Sequence, residues 1–228
     1  MSRLSIWVIC ALLCACGPGD APGGETGGPS GDVTGGDEAA AEGLRRYQIE
    51  SAVVTYELTG TPRGTEVLSF DRYGAREVSV NEHVMETGGQ SIEMNSSVIT
   101  EGPWITNVDR KEKRALRFKN PLYDDLLAAA AGKDPAEVGE SLMQAMGGQQ
   151  VGDEEILGRP CVVWELPQVG KAWIWKGLVL KAEPKSGMVD SVKVAVSIEE
   201  GAEISDALFE VPADYDLSEF DTDAALRR

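Results

Sequence analysis

Histidine and cysteine are scarce in this 228-residue chain, and that scarcity bounds its chemistry. The single histidine, His83, lies in Asn81-Glu82-His83-Val84-Met85. Nucleophilic catalysis by a thiol or hydroxyl needs a histidine beside it. The one cysteine outside the N-terminal segment, Cys161, sits in an apolar run, where cysteine behaves as a small buried hydrophobe. A zinc site takes about four His, Cys or acidic ligands in close spacing, which one histidine and one cysteine do not supply. Acids are abundant, but the cluster Asp214, Asp216, Glu219, Asp221 and Asp223 lacks the glycine and ligand spacing of a calcium loop. It reads as a solvated tail. Asp124-Asp125 and Glu154-Glu155 are neighbours in sequence, and neighbours point apart on a strand or a helix. There is no glycine loop to cradle phosphate and no nucleophile elbow. The expectation is a protein that is not an enzyme, with no metal and no cofactor.

One thiol has a different chemistry available. In Met1–Cys16, MSRLSIWVICALLCAC, Arg3 precedes an apolar run of about ten residues, too short to cross a bilayer, which takes about 20. It suits a cleavable export signal. The run closes on Leu13-Cys14-Ala15-Cys16, which resembles a bacterial lipobox. That resemblance implies a thioether-linked diacylglycerol on Cys16 and cleavage before it, so residues 1–15 are a leader and the membrane is a partner through the lipid. Gly17 is not the aspartate that retains some lipoproteins at the inner membrane. The implied location is the outer membrane, facing the periplasm.

The charge is −17, and loss of Arg3 with the leader takes it to −18. Such acidity repels nucleic acid, so nucleic acid is excluded as a partner. Residues 17–43 hold ten glycines, three prolines, six acids and no base or aromatic. They cannot bury enough apolar surface to offset their ordering entropy, and Cys16 with this stretch reads as an anchored tether. With Cys16 acylated, Cys161 has no disulfide partner, so the domain from 44 to 215 must rely on its core.

From Tyr47 the pattern is period two. Val54, Tyr56 and Leu58 alternate with polar residues, Thr61-Pro62-Arg63-Gly64 marks a turn, and Glu66, Leu68 and Phe70 alternate again. Further runs follow at 75–81, 92–99, 104–108 and 114–118. Asn120-Pro121 and Asp134-Pro135 start two short helices. Strands resume at 154–157, 161–166, 171–176, 178–183 and 188–198, where Val192, Val194, Val196 and Ile198 fall on one face. Residues 216–228 read as a frayed acidic tail. The fold class is mainly β with a small helical insertion, a curved antiparallel sheet of ten or eleven strands.

The apolar surface carries what function remains. Trp173 and Trp175 share a strand face, and Trp164 lies on the strand before, so three indoles line one wall if these strands pair. Trp104, Phe118, Trp164, Trp173 and Trp175 are the candidates for a ligand-binding cavity, and the same residues suit a filled core. Lys171, Lys176 and Lys181 flank them, most simply as edge charges.

Four stretches carry a resemblance: Gly64-Thr-Glu-Val-Leu-Ser-Phe-Asp-Arg-Tyr-Gly74-Ala-Arg-Glu77, Pro103-Trp-Ile-Thr-Asn-Val-Asp-Arg-Lys111, Trp173-Ile-Trp-Lys-Gly-Leu-Val-Leu-Lys-Ala-Glu183 and Phe209-Glu-Val-Pro-Ala-Asp-Tyr215. With the anchor, they resemble the LolA/LolB-like superfamily of periplasmic lipoprotein carriers. This implies a half-barrel with helices over an apolar cavity, and binding or transfer of a lipid or of another lipoprotein's acyl chains. The alternative is an envelope module with a filled core that binds a protein partner.

Overall fold

The computed structural model describes residues 43–185, 190–220 and 222; Cys16, the leader, the tether before Gly43 and the residues from 223 lie outside the described residues. The alternating runs become two antiparallel meanders. The first is β1 (Ala52–Thr61), β2 (Arg63–Asp71), β3 (Arg76–Thr87), β4 (Gln90–Glu101), β5 (Trp104–Asp109) and β6 (Arg114–Lys119). Two helices follow, α1 (Tyr123–Ala130) and α2 (Pro135–Ala145). The second meander is β7 (Gln149–Ile156), β8 (Arg159–Leu166), β9 (Gly170–Trp175), β10 (Leu178–Pro184) and β11 (Asp190–Glu200). β11 pairs antiparallel with β1, and a last strand, β12 (Asp216–Phe220), runs parallel to β6. The result is one open, curved sheet in the order β12-β6-β5-β4-β3-β2-β1-β11-β10-β9-β8-β7.

Only α2 starts at the cap marked in its sequence; α1 starts at Tyr123, two residues past Pro121, with Leu122 as its N-cap and no side-chain cap, so Asn120 closes the turn before it. The Asn120 side chain accepts the Leu122 N–H at 3.0 Å, and Asp134 accepts the Ala136 N–H at 2.8 Å with Pro135 in the first turn. The Asp134 carboxylate also receives the Gln48 side-chain amide at 2.8 Å, which ties α2 to the segment leading into β1. At the β2–β3 pair, Gly64 is required by space: a Cβ there would stand 2.0 Å from the Glu82 carbonyl oxygen.

Two cores form, on opposite faces of the sheet. On the first face Val54, Tyr56, Leu68 and Phe70 pack with Cys161, Val163, Trp173, Leu178, Leu180 and Ala195. The second face carries Val78, Ile99, Val108 and Ala115. The β2–β3 register shows the switch, since Leu68 opposes Ser79 and Val78 opposes Ser69. The second core is closed by the strap between β11 and β12, whose Phe209, Val211 and Tyr215 pack against it. Arg76 holds the strap. It pairs with Asp71, reaches Asp206 at 2.7 Å and lies 4.1 Å over the Phe209 ring. Lys113 meets Asp214 at 2.6 Å at the other end.

The mainly β, curved-sheet class stands, and three details within it are corrected. The sheet has twelve strands, not ten or eleven, because residues 216–220 of the supposed frayed tail are strand β12. The ladder to β6 and the strap supply order that an acidic five-residue segment does not advertise. The valines of β11 do not share a face with Ile198. A bulge between Thr55 and Tyr56 in the β1 register re-phases β11, so Ala195 is buried with Ile198 packed beside it, and Val196 turns outward. The first meander is also longer than its apolar runs, with β3 reaching Thr87.

Phe70 is fully buried. Truncation to alanine is expected to cost about 3–5 kcal/mol in urea unfolding. Leu217→Ala, on a half-exposed side chain of β12, should shift stability by no more than about 0.5 kcal/mol.

Candidate functional site

The register decides where the five cavity candidates go, and it does not gather them. Trp173 opposes Val163 and Trp164 opposes Ala172, so these two indoles stand on opposite faces of β8–β9. Trp164 is buried near the end of α2, close enough that a Cβ at Gly148 would come within 3.4 Å of it. Trp104 opposes Lys119 while Phe118 opposes Ile105, which separates that pair too. The single indole wall is therefore not formed. Trp173 and Trp175 do share the first face, and Trp173 is 4% exposed within the first core.

Cations and acids cap these two indoles. Trp173 donates its ring N–H to Glu154 at 2.6 Å, and the Lys181 ammonium sits 4.1 Å from its ring centre. Arg159 and Lys176 lie 4.9 and 4.7 Å from the Trp175 ring, and both pair with Glu200, at 3.0 and 3.8 Å. Lys181 is further paired with Glu183 at 2.7 Å. Arg159, Lys176 and Lys181 thus each have a carboxylate partner on the sheet, and together they cap the two indoles at the rim of the core.

A polar cluster interrupts the first face at β2, β3 and β11. Lys193 reaches Glu66 at 3.2 Å, crossing the Tyr56 ring at 4.5 Å, and His83 is buried beside Gly64. Burial lowers the His83 pKa from its ordinary 6.5, Glu66 opposes that shift and Lys193 adds to it. Burial also raises the Tyr56 and Tyr47 phenols and the Cys161 thiol. Tyr47 donates to Glu77 at 2.7 Å, and Arg46 meets the same carboxylate at 2.9 Å. Among the described residues no three His, Cys, Asp or Glu side chains converge as a metal site.

Beyond this polar row the first face opens. Val98, Ile105, Leu116, Phe118 and Phe220 lie on it across β4, β5, β6 and β12, with Phe118 opposing both Ile105 and Phe220. Leu116 is 41% and Phe220 48% exposed. The same strands are buried on the other side, where the strap covers them. Of the five candidates, Phe118 alone belongs to this open surface. The sequence pattern points to its alternation but not to its uncovered side, which depends on where the strap crosses. Two grooves lie elsewhere: one of about 550 Å³ at the β1–β2 turn, lined by Tyr56, Leu58, Gly60, Arg63 and Val84, and one of about 500 Å³ between Leu166, Lys171 and Pro184. Neither contains any of the five aromatics.

An open, curved antiparallel sheet with a short helical insertion defines the class as a half-barrel. No family model matches the chain, and no curated protein matches it. An uncharacterized conserved protein from Thermus thermophilus shares the fold, with a TM-score of 0.50 over 81% of this chain and 98% of that one at 7% identity. The MucA/MucB complex of Pseudomonas aeruginosa gives 0.39 over 80% and 62% of the two chains at 14% identity, and LprF from Mycobacterium bovis 0.33 over 78% and 98% at 10%. The chain spans about two thirds or less of the length of the MucB-containing chains it matches. The likeness to the Thermus protein is one of fold.

Two outcomes follow. A base whose folded pKa lies below its unfolded value binds fewer protons folded than unfolded, so stability falls as pH drops from about 6.5 toward the lowered value. Urea midpoints taken between pH 7.5 and 5.5 should fall in the native protein and fall less in His83→Gln. Cys161, 1% exposed with a raised pKa, should resist a thiol reagent in the native protein and be labelled once it is unfolded, as read by peptide mass spectrometry.

Proposed function

We propose that this chain is an exported, non-catalytic lipoprotein, anchored through Cys16 on the periplasmic face of the outer membrane, that holds an acyl chain of a lipid or lipoprotein against its open sheet face. The observation that carries this reading is the apolar patch on which exposed Leu116 and Phe220 stand with half-buried Val98, Ile105 and Phe118, beside the first core. Contiguous exposed apolar area on a folded domain marks an interaction site. The lipobox resemblance supports the location, where acyl chains are at hand, and no helix among the described residues is long and apolar enough to cross a membrane. Trp173 and Trp175 take the structural role, and the ligand surface lies across the polar row from them.

The magnitude indicates a loose hold. Ten methylenes half-buried at about 0.8 kcal/mol per fully buried CH₂ gain roughly 4 kcal/mol, a dissociation constant on the order of 1 mM. Photocrosslinking in cells suits such an encounter better than co-purification. Cells producing the full chain and fed a diazirine-bearing fatty acid should yield acyl adducts on peptides containing Leu116, Phe118 and Phe220. The Leu116→Glu, Phe220→Glu double variant should lower them at least tenfold while keeping its thermal unfolding. Adducts spread over the surface, or undiminished in the variant, overturn the reading.

A further inference from the structure

The sheet has two edges, and they differ. Both are exposed, but β12 offers five residues next to the strap, whereas β7 offers eight, exposed from Gln149 to Glu155. Nothing pairs with the outer side of β7 in the strand order. A free strand edge presents unpaired N–H and C=O groups, and proteins guard such edges with charge and bulges. β7 has both: a register shift at Gln150–Gly152 around Val151, then Asp153, Glu154 and Glu155. Glu154 is occupied by the Trp173 N–H on the first face. Asp153 and Glu155 oppose Val162 and Pro160 on the second face, and neither has a cationic partner within 4.0 Å among the described residues.

We infer that β7 is a docking edge for an extended basic segment of a partner protein, which adds as a thirteenth strand with Lys or Arg at alternate positions opposite Asp153 and Glu155. The charge pattern selects this occupant. A second copy paired through β7 about Glu154 would set acids against acids, which is destabilising across strands, and Gln149–Ile156 holds no cation to answer them in any other register. An acidic or neutral segment gains only the backbone ladder. A basic segment gains the ladder and two cross-strand pairs at about 5 Å between Cβ atoms, and the exposed Val151 takes an apolar residue beside them. Main-chain bonds supply affinity in this mode and the alternate side chains supply selectivity. The edge and the open face near β12 stand at opposite ends of the strand order.

The test uses the full chain in mild detergent and hydrogen exchange read by mass spectrometry. The probes are the peptides Val-Lys-Val-Lys-Val-Lys-Val and Val-Glu-Val-Glu-Val-Glu-Val. The lysine peptide should slow exchange in Gln149–Ile156 at least tenfold, with the effect weakened several-fold at 0.5 M salt, and the glutamate peptide should not. The double variant Asp153→Lys, Glu155→Lys should reverse that preference while exchange in β1 and β2 stays unchanged, which shows that the fold is kept. Unchanged exchange in β7 at saturating lysine peptide overturns the inference. So does equal protection by both peptides, or a variant that still prefers the lysine peptide, as adventitious binding to acids elsewhere would give.

Discussion

The pairing of β1 with β11 makes one sheet of two. Every other antiparallel neighbour in the strand order is also a neighbour in sequence, so each meander can form from local hairpins. The β1–β11 ladder joins residues 52–61 to 190–200, and it alone sets Val54, Tyr56 and Phe70 of the first meander against Leu178, Leu180 and Trp173 of the second. Closing so long a loop is feasible because the entropic cost rises only with the logarithm of length, about 0.6 kcal/mol per doubling. A ladder of ten pairs over a buried face of large side chains exceeds that increment many times over. The bulge opposite Tyr56 belongs to the same constraint. It shifts β11 by one residue, so that Ala195 fits beneath the aromatic cluster and the larger Val196 faces out.

A sheet packed on one face along its whole width would need a second layer as broad as itself. This chain covers each half differently. The half around β1 and β8–β11 curls its first face into the larger core, and the half at β3–β6 buries its second face under the strap. The strap returns the chain to the far edge, where β12 can only be parallel to β6, since both start from the same end of the sheet. Arg76 anchors that crossing through Asp71, Asp206 and Phe209, and its guanidinium is held well above its usual pKa by the Asp71 hydrogen bonds. One consequence is an uncovered apolar side at β4–β6.

Strand content and the start of α2 are legible in the sequence because their causes are local, whereas α1 starts two residues past the Asn120-Pro121 signal. Alternation at Val54-Tyr56-Leu58, turn residues at Thr61-Pro62-Arg63-Gly64 and the Asp134-Pro135 cap each act within a few residues. Face assignment is not legible, because it depends on pairing parity. One extra residue in a connection moves a whole strand's side chains to the other face. That is why Trp164 leaves the wall shared by Trp173 and Trp175, and why Ile198 falls on the face opposite the β11 valines, across a bulge with no glycine to mark it. β12 is hidden for another reason: Asp216-Leu217-Ser218-Glu219-Phe220 has weak strand character, and its partner ladder lies 102 residues earlier, from Asp216 to Arg114.

The placement of buried charge explains why the open surface is not absorbed into the core next to it. Reading the first face from β1 toward β4, apolar Tyr56 and Leu68 give way on β3 to Glu77, Ser79, Asn81 and His83. Lys193 leans over Tyr56 toward Glu66 at the start of this seam, and Tyr47 and Arg46 occupy Glu77 at its far end. A half-buried ion pair of this kind adds little net stability, because desolvation offsets much of the attraction. What it adds is a boundary. The seam of Glu66, Glu77 and His83 keeps the first core and the patch around Leu116 and Phe220 apart. With the polar seam in place, each buried polar group must keep its partner, the first core ends at β2, and Leu116 and Phe220 stay exposed on the far side of β3.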